Sequence, residues 1–511
     1  MRGRFAVAAV LVAALAAAAA PAKEPKQKKK SAKPTVSQAG IPARPEQLKH
    51  GPLGFEVPDA AKYRHQLSNG VSVYVVEDHS LPLVDVSLTV RVGAFLDPVD
   101  KPGLASLAAL MMRRGGTTSR PPAEFDERAD YLAANLGAQA GETGGGASVN
   151  CITGVLDEAL GLFFEMLKSP GFSEERLRVE KDNILEGLRQ RNDDPAEISS
   201  REWAWLIRGN EHFSSREMTK AELDSIGRDD LVAFHRRYWR PENMILAVSG
   251  DVTPHEILPK LEKHFAGFSG EGSHVPWPPA GPNVVPAPGV YYVEKDIPQG
   301  RVLIGHLGMK RVSWEDPEAF ALLVMNDILG GGGFTSRIMK RIRSDEGLAY
   351  GASSAFGVGL YWPGTFQVSY QSKSPTVAYA AQIALAEIER MRTELVSADE
   401  LNVSKKSFID AFPRRFESAA QLAGTFASDE YEKRPHGYWK TYRDSVGDVT
   451  AERVRDVARK YLDPAKLVFL IVGKWDDIRP GDADKRASMA EFHGGQASKL
   501  PLRDPLTLDP L

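Results

Sequence analysis

A single cysteine, Cys151, stands in a chain of 511 residues. One thiol excludes an internal disulfide and a cysteine-based zinc site, so stability has to come from the size of the core. A surplus of positive charge is missing too. The 64 Lys and Arg face 67 Asp and Glu, a formal net charge of −3, which argues against nucleic acid as a partner. The longest apolar run, residues 6–19, is short and alanine-rich for a membrane span. Histidine is sparse: none of the 11 lies three or four residues from another, so no helical face carries a pair of imidazoles for one metal. No serine or cysteine sits in a nucleophile elbow.

What is present describes an exported globular protein. With 42% hydrophobic and 26% charged residues, the chain can build large cores and has length for two to four domains. Arg2 and Arg4, the apolar run and Ala20-Pro21-Ala22 read as a signal peptide over 1–22, implying a periplasmic or secreted protein, with an uncleaved membrane anchor as the alternative. Cleavage removes two arginines and leaves 64 − 2 = 62 basic against 67 acidic residues, net −5. No cysteine follows the run, so no lipid anchor is expected there. Residues 23–62, basic and Pro-rich, read as a disordered leader.

Val84, Val86, Leu88, Val90 and Val92 alternate with Asp85, Ser87, Thr89 and Arg91, the period of a half-buried strand. A strand is also expected over 71–76. Helical patterns follow at 103–114, 122–136, 155–167 and 174–191. Strands followed by runs of helices give an α+β class. An internal repeat sets the architecture. His235 to Pro241 precedes an apolar run and Gly250; residues 458–464 precede an apolar run and Gly473. The offset is constant: 458 − 235 = 223 and 473 − 250 = 223. Two homologous halves are therefore expected, each of antiparallel-sheet and helix layers, over 63–268 and 290–478. The prolines of 269–289 make an extended linker. Residues 479–511 read as a loosely packed tail.

At this point the chain resembles the insulinase-type metallopeptidases, family M16, over residues 67–475. The resemblance is carried by Leu67-Ser68-Asn69-Gly70, Gly103-Leu104-Ala105, Met111-Met112, Pro241-Glu242-Asn243, Gly250-Asp251-Val252, Ser336-Arg337, and Arg343 with Gly347-Leu348-Ala349-Tyr350. It implies a clam-shell of two α+β halves around a substrate chamber. It also implies a zinc helix with His-x-x-Glu-His and a glutamate ligand from a later helix. Those positions hold Ser106, Ala109, Leu110 and Gly187 here: two metal positions, the general base and the third ligand are all replaced. Glu180, an acidic position of the family, survives and reads as a solvated charge. His235 reads as a packing or capping residue.

The second half keeps what the first has lost. In the family, the residues at positions 343 and 350 reach towards the scissile peptide. A guanidinium and a phenol can donate to a substrate carbonyl and to the oxyanion that develops there. The run 329–333 lacks the Lys-Ser or Lys-Thr of a phosphate loop and reads as a flexible turn; 144–146 reads as a loop between strands. The expectation is a chain inactive alone, binding no cofactor itself, that lends Arg343 and Tyr350 to a zinc-bearing M16 subunit with His-x-x-Glu-His acting on peptides. A non-catalytic scaffold of the bc1-core type stays open as the alternative.

Overall fold

The computed structural model describes residues 54–269, 274–281 and 284–511. The expected signal peptide, most of the leader and parts of the linker lie outside the described residues. The first half contributes β1 (Arg64–Gln66), β2 (Ser72–Glu77), β3 (Leu83–Val90), β4 (Asn135–Ala140), β5 (Gly145–Ile152) and β6 (Met244–Gly250). They form one sheet in the order β1-β2-β6-β3-β5-β4. The second half contributes β7 (Gly289–Glu294), β8 (Gln299–Leu307), β9 (Met309–Lys310), β10 (Ala349–Phe356), β11 (Val358–Gly359), β12 (Thr365–Lys373), β13 (Val468–Gly473) and β14 (Ala497–Leu500). β9 and β11 pair with each other, and the other six form a sheet ordered β10-β12-β8-β13-β7-β14.

The repeat is a repeat of topology. The order β2-β6-β3-β5-β4 in one sheet matches β7-β13-β8-β12-β10 in the other, and Gly250 and Gly473 end the equivalent strands β6 and β13. Most pairings are antiparallel, but β2 runs parallel to β6 and β7 parallel to β13, so both sheets are mixed. The long helical connections between those strands allow this, since a parallel pair needs a crossover.

Strand β3 shows the alternation that its sequence carries, with Val84, Val86, Leu88 and Val90 buried in the first core. β2 does not. Ser72 to Val76 are all buried, because the helix Ala419–Tyr431 of the second half lies across the outer face of β2 and β6. Val73 and Val75 belong to one core, and Tyr74 and Val76 to the other. The reverse exchange also occurs. The helix Pro195–Arg208 of the first half covers β8 and β13, burying Trp203 and Ile207 against Leu303, Val468 and Leu470. The two helices start 419 − 195 = 224 residues apart, one more than the repeat offset. Each buried large side chain contributes roughly 1.5–3 kcal/mol, so the exchange fastens the halves firmly. Both halves lie in one compact unit, Phe55–Leu511.

Polar contacts fix the register of this clasp. Glu430 accepts from Arg64 Nε and Nη2 at 2.9 Å each, from Ser72 Oγ at 2.6 Å and from the Tyr74 hydroxyl at 2.6 Å. Burial pushes the Glu430 carboxyl up, but these hydrogen bonds outweigh it and hold the group at about 2, below its ordinary 4.5. The Arg337 guanidinium similarly holds Glu400 at about 2. A carboxyl depressed on folding stabilises fully above its unfolded value and loses that contribution as pH falls through its folded value. Stability is therefore expected to fall between pH 4.5 and 2, and Glu430→Gln should flatten that acid limb. Urea unfolding over a pH series measures both.

Two expected boundaries move. The folded body begins at Phe55, inside the span assigned to the leader: Phe55 stacks on Phe416 at 5.8 Å and meets Phe412 edge-on at 5.9 Å. The C-terminal segment is not a loose tail either. Ala487, Met489 and Phe492 are buried in the second core, and β14 extends the sheet beside β7. Within the linker, Trp277 is held between Arg91 and Lys433, each 3.9 Å from its ring. Arg503 donates to Glu202, which is 2% exposed, at 3.0 Å and stacks on Trp205. Removing one member of a buried pair leaves the other charge uncompensated. Here Arg201, already 3.3 Å from the same Glu202 oxygen, remains, so Arg503→Ala is expected to cost about 2 kcal/mol by urea denaturation, the scale of one lost hydrogen bond to a charged group.

The residues expected to be inert are packed. Cys151 is buried, and burial pushes its thiol up to about 11. His235 donates from Nε2 to the Leu167 carbonyl at 2.8 Å, and burial lowers its imidazole to about 4.

Candidate functional site

Helix Leu104–Arg114 starts where its sequence says it should, after Gly103. Asp97 sets the start: its carboxylate accepts from the Gly103 and Ala105 backbone N–H groups at 2.8 Å each. From there the helix presents Ser106 to solvent, buries Ala109 completely and half-buries Leu110 against the first core. Helix Glu174–Gln190 packs beside it and carries Gly187 exposed, with open space where a side chain would begin. Glu180 lies on the same helix, half-buried, accepting from Asn183 Nδ2 at 3.4 Å. Two packed helices thus carry the positions that the family resemblance marks for a metal, but donors are missing from them. A serine hydroxyl, a leucine and a glycine offer one weak oxygen where zinc needs three strong ligands. Among the described residues no group of three or more His, Cys, Asp or Glu could hold a metal ion. Zinc does not fit these positions.

On the second half, two irregular pieces of backbone build a different site. Arg337–Met339 is helical and passes into a π-helical turn, Lys340–Asp345, which carries Arg343. Gly347 ends it in the left-handed region at φ +65°. Gly347 N–H donates to the Arg343 carbonyl and Leu348 N–H to the Ile342 carbonyl, each bond one residue wider than in the Schellman cap, as the preceding π-turn requires. Strand β10 follows on the sheet edge. Its register with β12 slips between Ala349 and Ala352, so Tyr350 stands in a bulge and is 88% exposed. π-turns and edge bulges both re-aim side chains, and both recur at functional sites.

Arg343 and Tyr350 meet: the guanidinium lies 4.5 Å from the Tyr350 ring centre. It also lies 4.7 Å from the ring centre of Phe334, itself 66% exposed. Among the described residues Arg343 makes no ion pair and no side-chain hydrogen bond. Its donors are therefore free beside two exposed aromatic rings. Sequence reading missed Phe334, and the only signal for it was an aromatic residue directly after the glycine run. That run is not the flexible turn expected of it. Asp327–Gly331 is a second π-helical turn, and a Cβ on Gly330 would meet the Ser354 nitrogen at 2.4 Å. Gly330 is there because β10 leaves no room, whereas Gly331 and Gly332 close on Asn326 and Asp327 of the preceding turn. Of the other glycine run, Gly145 and Gly146 belong to β5, and only Gly144 lies in the turn. No hydrogen bond, ion pair or ring contact among the described residues links Arg343 or Tyr350 to Ser106, Ala109, Leu110 or Gly187.

A peptidase fold with an empty donor set and an intact arginine–tyrosine wall defines the class: a metallopeptidase homologue without its metal site. Residues 72–203 match the family model described as "Insulinase (Peptidase family M16)", and 225–408 match "Peptidase M16 inactive domain". The chain belongs to the insulinase family, M16, as a homologue lacking the zinc motif. It is 25% identical over 419 residues to a protein of Helicobacter pylori named "Non-peptidase homolog YmxG", covering 81% of this chain and 94% of that one. It is 22% identical to the "Uncharacterized zinc protease YmxG" of Bacillus subtilis, covering 80% and 97%. Among solved structures, a peptidase M16 inactive domain from Pseudomonas fluorescens superposes with a TM-score of 0.71 at 23% identity, over 80% of this chain and 97% of that one. A Helicobacter pylori protease gives 0.69 at 20% identity, over 80% and 98%. The solved structures show the shared fold.

Proposed function

We propose that this chain is an exported, non-catalytic subunit that lends Arg343 and Tyr350 to the active site of a zinc-bearing M16 partner acting on peptides. The observation that carries the reading is the guanidinium of Arg343, held against Phe334 and Tyr350 with no carboxylate among the described residues to neutralise it. A guanidinium kept unpaired and aimed outward is suited to a peptide carbonyl and to the charge that grows on it. The replaced donors of the first half support a division of labour between two chains. The exchanged helices support it as well, since they hold the two halves of this chain together and leave the site's missing half to a second subunit. The signal-like N-terminus read from the sequence supports an exported pair.

The test is a peptide-cleavage assay of the chain alone, of a co-purified subunit with His-x-x-Glu-His alone, and of the two mixed. Cleavage is expected only in the mixture, and a chelator should abolish it. Cleavage by this chain alone that survives the chelator would contradict the reading, as would a partner that is fully active by itself.

A further inference from the structure

Away from Arg343, the second half contains a cavity of about 340 Å³ in which three arginines alternate with two tryptophans. Arg311 lies 4.4 Å from the Trp314 ring and Arg434 lies 4.2 Å from it. Arg434 is also 4.8 Å from Trp439, and Arg415 is 4.4 Å from that same ring. The result is a ladder, Arg311–Trp314–Arg434–Trp439–Arg415. Its middle rung alone is neutralised: Arg434 donates to Asp429 at 2.6 Å and to Glu432 at 2.5 Å. Asp429 also accepts from Trp439 Nε1 at 2.6 Å, so its oxygens are taken. Asp316, the next nearest carboxylate, caps the helix Pro317–Asn326. Arg311 and Arg415 make no ion pair and no side-chain hydrogen bond among the described residues, and Arg434 Nε is buried without a partner.

Stacking on the rings orients these guanidiniums and leaves their N–H edges free, which is how arginine is pre-organised for a planar anion. The same cavity is also lined by apolar side chains, Phe320, Leu323, Phe356 and Val358. From these two kinds of lining together we propose a binding site for a carboxylate carrying an apolar or aromatic body, the carboxylate drawn into the cavity by the unpaired charges of Arg311 and Arg415 and the body against Phe320. The C-terminal residue of a peptide has this chemistry, and so does a small aryl carboxylate. The site stands whether or not the chain serves a zinc-bearing partner.

Calorimetry on the full chain tests it with N-acetylphenylalanine, its methyl ester, inorganic phosphate, and a hexapeptide ending in phenylalanine as free acid and as amide. The free carboxylate should bind saturably, about tenfold or more tighter than the ester, which lacks the charge, and than phosphate, which leaves the apolar lining uncovered. Arg311→Gln and the exposed Arg415→Gln should each weaken it about fivefold or more. Arg415→Gln serves as the control should the half-buried Arg311 variant unfold. A free-acid peptide binding more tightly than N-acetylphenylalanine identifies a peptide C-terminus as the natural ligand; a weaker one identifies a small carboxylate. No saturable binding, equal binding of ester or phosphate, or indifference to Arg415→Gln would overturn the site and reduce the ladder to packing.

Discussion

Combining Ser106→His, Leu110→His and Gly187→Glu is expected to give this chain a zinc site that it does not have. The frame for it is in place. Positions 106 and 110 are one helical turn apart on Leu104–Arg114, and Glu174–Gln190 lies against that helix. Ser106 faces solvent and Gly187 opens onto empty space, so two of the three new side chains displace nothing. Leu110 is half-buried against the core, and replacing it should cost about 1–2 kcal/mol of stability before metal is added. Zinc should recover that loss, because metal that binds only the folded chain stabilises it. A dissociation constant of roughly a micromolar or tighter is expected by calorimetry. Adding Ala109→Glu is a different matter. Ala109 is completely buried, so a glutamate there has to push neighbouring groups aside or carry its charge into the core. The triple variant should therefore fold better than the quadruple one. A triple variant that folds and takes up no zinc would mean that the two helices are not set as a metal site.

In the assembled pair, Arg343→Ala is expected to lower kcat by about a hundredfold while KM changes little. This is the scale seen when a preorganised donor to a developing oxyanion is removed. Arg343→Lys should recover only part of the rate, because an ammonium keeps the charge but loses the planar fork and the stacking against Phe334 and Tyr350. Phe334→Ala should cost less than Arg343→Ala, because the guanidinium remains and only its placement loosens. Neither change should affect stability much, since Phe334 and Tyr350 are largely exposed. Full activity of the pair with Arg343→Ala would remove the reason for assigning this wall a role in the reaction.

Where the sequence alone could be read, the physics was local. The alternation of β3 survives because one of its faces meets one core. The cap at Gly347 is legible because only a left-handed residue ends that turn, and φ is +65° there. The lost metal ligands needed nothing beyond residue identity at positions marked by the family resemblance. What could not be read was non-local. Ser72, Tyr74 and Val76 look like the wet face of β2 until a helix more than 340 residues later in the chain covers them. The segment 497–500 has no strand pattern and becomes β14 because the edge of β7 is free to pair. Phe55 lies in a stretch of leader-like composition and folds because Phe412 and Phe416 receive it. At the candidate site, Arg343 and Tyr350 were found by resemblance, but their contact with each other and with Phe334 depends on a π-turn and a bulge that leave no mark in hydrophobic period.

The central claim is that the first half has kept the helices of a metal site and lost its donors. Zinc titration of the unaltered chain, purified alone and followed by calorimetry and elemental analysis, tests it most directly. The account predicts no stoichiometric metal and no tight binding at neutral pH. One zinc per chain, held tightly and released by Ser106→Ala, would contradict it.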